Sequence, residues 1–138
     1  MRAKLSLIDL VNALEATSRH IHWHVDLVTG DVLHPGAVPV AAAPARYPSL
    51  PRVGELPEAQ MRRDFCERVR DADQRAGLVV LIDADVPRAR FESALAKAGF
   101  LDEWVCYRRS RLAGLALAWA AAQDVTCRDV GRPTFATL

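Results

Sequence analysis

The sequence has no excess of charge of either sign: eighteen basic and seventeen acidic residues leave a net charge of +1. That balance removes whole-molecule attraction to phosphate, so nucleic-acid binding would require a local patch. Four basic and four acidic residues precede a cut after Pro51, and fourteen and thirteen follow it, so neither half is polarised. Cysteine is also scarce. Cys66, Cys106 and Cys127 are odd in number, far apart and without a Cys-x-x-Cys pair. This spacing argues against a disulfide framework or a thiolate zinc site, and fits reduced thiols in a cytoplasm. Long hydrophobic runs are missing. Leu112 to Ala122 contains Gly114 and reaches about half of the roughly 20 residues a spanning helix needs, so a packed helix is expected there and no membrane partner. Met1 to Leu10 carries Arg2 and Lys4 but meets Asp9 and Asn12 before a signal-length apolar run develops, so no export signal is read. No Walker, Rossmann or His-Glu-x-x-His pattern occurs, and no serine, cysteine or lysine sits in a recognisable nucleophile motif. No catalytic residues are assigned.

What is present is the composition of a globular protein, 51% apolar and 25% charged over 138 residues. A chain of this size suits a single domain that buries roughly two-thirds of its unfolded surface. Patterning divides it into helix plus hairpin (1–34), a proline-rich connector (35–56), a helical region (57–124) and a tail (125–138). Ser6 with Asp9 resembles a short-armed capping box, and Leu7, Leu10, Val11 and Leu14 recur at helical spacing, predicting a helix from Leu7 to Thr17. From Ile21 the period becomes two: Ile21, Trp23, Val25 and Leu27 alternate with His22, His24 and Asp26. Thr29-Gly30 and then Asp31-Val32-Leu33-His34 complete a hairpin in which Gly30 supplies positive φ. Two registers are open. A Gly30 bulge pairs Leu27 with Asp31 and sets His24 opposite His34, whereas a two-residue loop pairs Val25 with His34.

Five prolines between Pro35 and Pro51 remove too many amide donors for a central strand or a helix, so an extended connector is expected. Val38-Pro39-Val40 and Tyr47-Pro48 could pack on the domain or form an edge strand. Met61, Phe65 and Val69 predict a helix after Pro57 that ends near Asp71. Asp73 can cap the next segment, in which Leu78-Val79-Val80-Leu81-Ile82 reads equally as helix or buried strand. Asp83 or Asp85 can cap a further helix with Pro87 in its first turn, a Phe91, Leu95 and Ala98 stripe, and Gly99 at its end. Asp102 starts a long last helix with Trp104, Tyr107 or Arg108, Leu112, Leu115 and Trp119 on one face. The tail after Gln123 has no periodicity and is expected to fray.

Several short pieces match a known pattern in order and spacing. They are Val25-Asp26-Leu27-Val28-Thr29-Gly30-Asp31-Val32, Leu50-Pro51, Met61 with Phe65, Arg90-Phe91, and Trp104 with Arg108 and Trp119. Across most of its length the chain resembles a bacterial family known only as uncharacterised protein family 0158, with a strand-turn signature and a helical C-terminal half. The resemblance implies a helix for Gly77 to Ile82. It implies no activity, because none is established for that family. Ala84-Asp85-Val86-Pro87-Arg88-Ala89 stands where the family usually has a glycine-rich, aromatic segment, so a role specific to that loop does not carry over.

The fold class expected is α+β: an N-terminal helix and β-hairpin, a proline-rich connector and a C-terminal bundle of about four helices. The candidate metal-ligating residues are His22, His24, His34 and Asp26, with His20 nearby, because alternate strand residues share a face and neutral imidazoles bind zinc, copper or nickel. His22-x-His24-x-Asp26 matches the start of the metallo-β-lactamase motif, but Leu27 stands where the next histidine belongs. A cupin would need a barrel of many strands. The plainer reading is a solvated sheet face that carries histidines, and no cofactor is assigned. Arg62, Arg63, Arg68, Arg70, Arg108, Arg109 and Arg111 could form a phosphate-binding surface near Trp104 and Tyr107. Interleaved Asp64, Glu67, Asp71, Asp102 and Glu103 favour intramolecular ion pairs instead. A buried Arg90 or Arg108 would need a carboxylate such as Asp26 or Glu103. With no catalytic motif, the function expected is a cytoplasmic binding or interaction module that engages a protein through its hairpin edge or a helix face. A metal-dependent or metal-binding protein, and a nucleic-acid binder, are the alternatives.

Overall fold

The computed structural model describes residues 3–39 and 43–130. Its elements run α1 (Leu7–Ala16), β1 (His24–Val25), β2 (Val32–Leu33), α2 (Glu58–Cys66), α3 (Ala72–Asp83), α4 (Arg88–Ala98) and α5 (Leu101–Ala122), with short 3-10 turns between β2 and α2. The α+β class, the hairpin and the four C-terminal helices are therefore present. Among the described residues no helix is long and apolar enough to cross a membrane. The chain divides into two compact units. One draws on both ends of the sequence, Met1–Leu56 with Arg109–Leu138, and the other is the continuous stretch Pro57–Arg108.

In the first unit, α1 buries Leu7, Leu10, Val11 and Leu14, the stripe its spacing dictates. Ser6 is its N-cap and accepts the Asp9 amide. A second cap comes from far along the chain: the Asp129 carboxylate accepts the amides of Leu7 and Ile8. The segment carrying it is held by bonds from Leu5 N–H to Thr126 C=O and from Arg128 N–H to Leu5 C=O. The expectation that the tail frays after Gln123 is thus wrong for the described part of it. Residues 131–138 lie outside the described residues. Burial pushes the Asp129 carboxyl up, but the Leu7 and Ile8 amides, with its own amide and the nearby Arg128 charge, outweigh burial and leave the group below its ordinary value.

In the second unit, α2 stops at Cys66 rather than near Asp71. The chain tightens through bonds from Arg68 and Val69 N–H to Phe65 and Cys66 C=O, and Asp71 is spent instead as the N-cap of α3, accepting the Gln74 amide. Asp71 therefore takes the role expected of Asp73. Leu78 and Ile82 are buried while Val80 is 65% exposed, the four-residue spacing of a helix. Neither Asp83 nor Asp85 caps α4, whose N-cap is Pro87 without a side-chain bond. Asp85 takes positive φ (50°) just past α3, a conformation that aspartate tolerates and that ends a helix. Gly99, at φ 83°, ends α4.

Trp104 is the centre of this unit. Phe65 and Phe91 meet its ring edge-on at 5.3 Å each, and its indole N–H donates to Glu92 Oε2 at 2.9 Å. One turn later the buried stripe of α5 holds a charge: Arg108 is 3% exposed and pairs with Glu58 through Nε at 3.0 Å and through Nη2. The partner is on α2 and is neither Asp26 nor Glu103. Arg62, on the turn after Glu58, is equally buried; it donates to the Val86 carbonyl at 2.8 Å and lies 4.9 Å from the Phe91 ring centre. Arg90 is exposed. The buried line of α5 runs Trp104, Arg108, Leu112, Ala116, Ala120, one residue on from the expected Leu115 and Trp119, which are half-buried.

Two measurements check these roles. Arg108→Ala leaves Glu58 part-buried without its cation, and is expected to cost about 3 kcal/mol in urea unfolding. Asp129→Ala removes a remote cap and should cost about 1–2 kcal/mol, with Asp129→Asn recovering part of it.

Candidate functional site

The hairpin is built around Asp26. Its backbone N–H donates to Asp31 C=O and its C=O accepts from Gly30 N–H, while its Oδ1 accepts the amides of Val28 and Thr29. An aspartate that satisfies two amides ahead of it starts a turn at once. Leu27 to Gly30 therefore form the loop, with Gly30 at φ 85°. The ladder pairs His24 with Leu33 and Val25 with Val32. This is neither of the two expected registers; it is offset by one residue from the bulged one and by two from the tight one.

That offset decides what the histidines can do together. It sets His34 beside Trp23, whose ring it meets edge-on at 5.8 Å, and not opposite His24. His34 also accepts the Gly36 amide on Nδ1, capping the 3-10 turn Pro35–Ala37. His24 uses Nδ1 toward the Tyr47 carbonyl at 2.9 Å. His22 and His24 keep a common face, with ring centres 5.3 Å apart, and His20 is exposed in the turn before the strand. Asp26 is committed elsewhere: Arg46 donates to both carboxylate oxygens at 2.9 Å. Among the described residues, no group of three or more histidine, cysteine and acidic side chains is arranged to hold a metal ion.

The connector completes the sheet. Leu27 and Val25 N–H donate to the carbonyls of Arg46 and Pro48, and Leu50 N–H donates to Trp23 C=O. Pro48 accepts but has no N–H to return, which keeps this third strand to an isolated bridge between His24 and Ser49. Tyr47 and Leu50 are buried. Val40, in the other apolar piece, lies outside the described residues. The Trp119 indole ties α5 to the connector at Ser49 C=O, 3.0 Å away.

β1 therefore has a neighbour on each side and β2 has one. Because Asp26 and Asp31 exchange a bond across the ladder, alternation turns the N–H and C=O of Val32 away from β1. Among the described residues neither group has a backbone partner. They line a groove of about 710 Å³ whose opposite wall is α1, with Asp9, Asn12, Trp23, Asp31 and Arg128 among its residues. The Trp23 indole nitrogen is buried without a hydrogen-bond partner. The sequence signalled the unpaired edge through the short hairpin, but not α1 as its facing wall.

Not all of the arginines read as a phosphate-binding surface reach solvent. Arg62 and Arg108 are buried, Trp104 is fully covered, and Arg68 sits 4.5 Å from the centre of the Tyr107 ring. Arg109 donates to Asn12 Oδ1. Cys66, Cys106 and Cys127 are free thiols, and burial pushes the thiols of Cys66 and Cys127 up from their ordinary value. No protein-family model, no curated protein and no solved structure matches the chain.

The Arg46 guanidinium, followed by the turn amides and against the pull of burial, holds the Asp26 carboxyl well below its ordinary 3.8. The native state thus binds this proton more weakly than the unfolded chain does. The resulting stability is complete above pH 3.8 and is lost as pH falls toward the folded value. Urea midpoints measured from about pH 6 down to about pH 2 should fall along this limb. Asp26→Asn should lower the neutral-pH midpoint and flatten the limb.

Proposed function

We propose that this chain is a cytoplasmic binding module that takes an extended, basic peptide segment into the groove between α1 and β2. The observation that carries the reading is the Val32 edge, one N–H and one C=O without a backbone partner among the described residues, set in a groove of about 710 Å³. An added strand would satisfy both groups by main-chain bonding, and the walls would select its side chains. Basic character follows from the charges at the rim. Asp9 and Asp31 line the groove, while Arg128, its one guanidinium among the described residues, is drawn to the Lys4 carbonyl at 3.3 Å. Three free cysteines suit a reducing compartment.

The test is selection from a random peptide-display library, followed by affinity measurements on Val32→Pro and Asp31→Lys. Proline at an outward-facing edge position removes the donor and leaves the β1 ladder intact. Enriched basic peptides that lose about tenfold or more in affinity for both variants, at unchanged circular dichroism, support the reading. Peptides that bind Val32→Pro as well as the parent protein, or no enrichment at all, overturn it.

A further inference from the structure

A second depression of about 490 Å³ lies in the same unit, away from the α1–β2 groove. Its walls are the turn between α1 and β1 and the 3-10 turn Val53–Glu55. The first wall is fixed by a single residue. Ser18 N–H donates to Ile21 C=O, and Ser18 Oγ accepts the amides of His20 and Ile21. This closed turn presents Arg19 and His20 together. The second wall is closed by Glu55, whose Oε1 accepts the Arg52 amide. His22 reaches the depression from the start of the strand.

We propose that this depression is a binding site for a small phosphate-bearing anion, held by Arg19 and Arg52 with His20 and His22. Two guanidiniums and two imidazoles line it against one carboxylate, Glu55, and that carboxylate is already engaged by a backbone amide. Neither the Arg19 nor the Arg52 guanidinium forms an ion pair with an acid among the described residues. Guanidinium groups with free donors suit phosphate oxygens in the bidentate manner. The electrostatics agree. Burial first, then the positive fields of Arg52, His24 and His34, hold the His22 imidazole below its ordinary 6.5. A dianion between His22 and Arg52 cancels that field and favours the imidazolium.

This site shares no lining residue with the α1–β2 groove, so its fate is independent of the peptide reading. The experiment is calorimetric titration of the full chain with inorganic phosphate, with sodium chloride at matched ionic strength as the control. His22 is followed in parallel by NMR. Saturable binding at one phosphate per chain is expected. Affinity should fall about tenfold or more in Arg52→Glu and in Arg19→Ala, and Arg52→Lys should retain part of it. The His22 titration should move upward when phosphate is present. Both arginines are exposed, so these variants should keep the parent circular dichroism. Binding that is unsaturable, equal in Arg52→Glu, or without effect on His22 overturns the proposal.

Discussion

A carboxylate shut away from water is costly unless cations and amide donors surround it. Asp26, 5% exposed, has both. Two turn amides and the Arg46 guanidinium converge on its oxygens, while its own backbone closes the hairpin loop. Arg46 belongs to the connector, so one ion pair fastens the third strand to the first. The same residue fixes the register. Everything the hairpin displays, from the unpaired Val32 edge to the separation of His34 from His24, follows from where Asp26 begins its turn.

The other unit solves a related problem with opposite polarity. Arg62 and Arg108 are buried cations, and each is accommodated differently. Arg108 has the Glu58 carboxylate, whereas Arg62 has a carbonyl and a ring face and leaves its Nε without a partner. Glu58 Oε2 is likewise without a partner. Polar groups of this kind constrain which helix faces can meet, because any other packing would strand a charge in apolar surroundings.

The helices other than α3 were legible in the sequence because their buried stripes repeat at three and four residues, and Gly99 marked the end of α4. Leu7 to Leu14 and Phe91 to Leu95 are read directly. Boundaries were less so where one aspartate could serve two helices. Asp71 looked like the end of α2 and is the start of α3, and Asp85 looked like a cap and is a left-handed terminator. The hairpin was visible as alternation, but its register was not, since the carboxylate at Asp26 acts through Arg46 twenty residues away. The least legible feature was Asp129. No periodicity marks a single acid in a polar tail, and only the folded chain brings it to α1. The candidate site was half visible: the histidine strand and the open edge stood out, while the walls that turn them into depressions come from α1 and from the connector.

The bond between Asp129 and the start of α1 spans 122 residues. On a growing chain, all of Pro57–Arg108 is synthesised before the last pieces of the other unit, which needs Arg109 and beyond to complete it. At synthesis rates of about 5–20 residues per second, the hairpin and α1 spend several seconds without their closing segment. During that interval the first turn of α1 has Ser6 and solvent, but not Asp129, to satisfy its amides. The order of synthesis and the order of assembly are therefore opposed: α1 is made well before the segment that secures it.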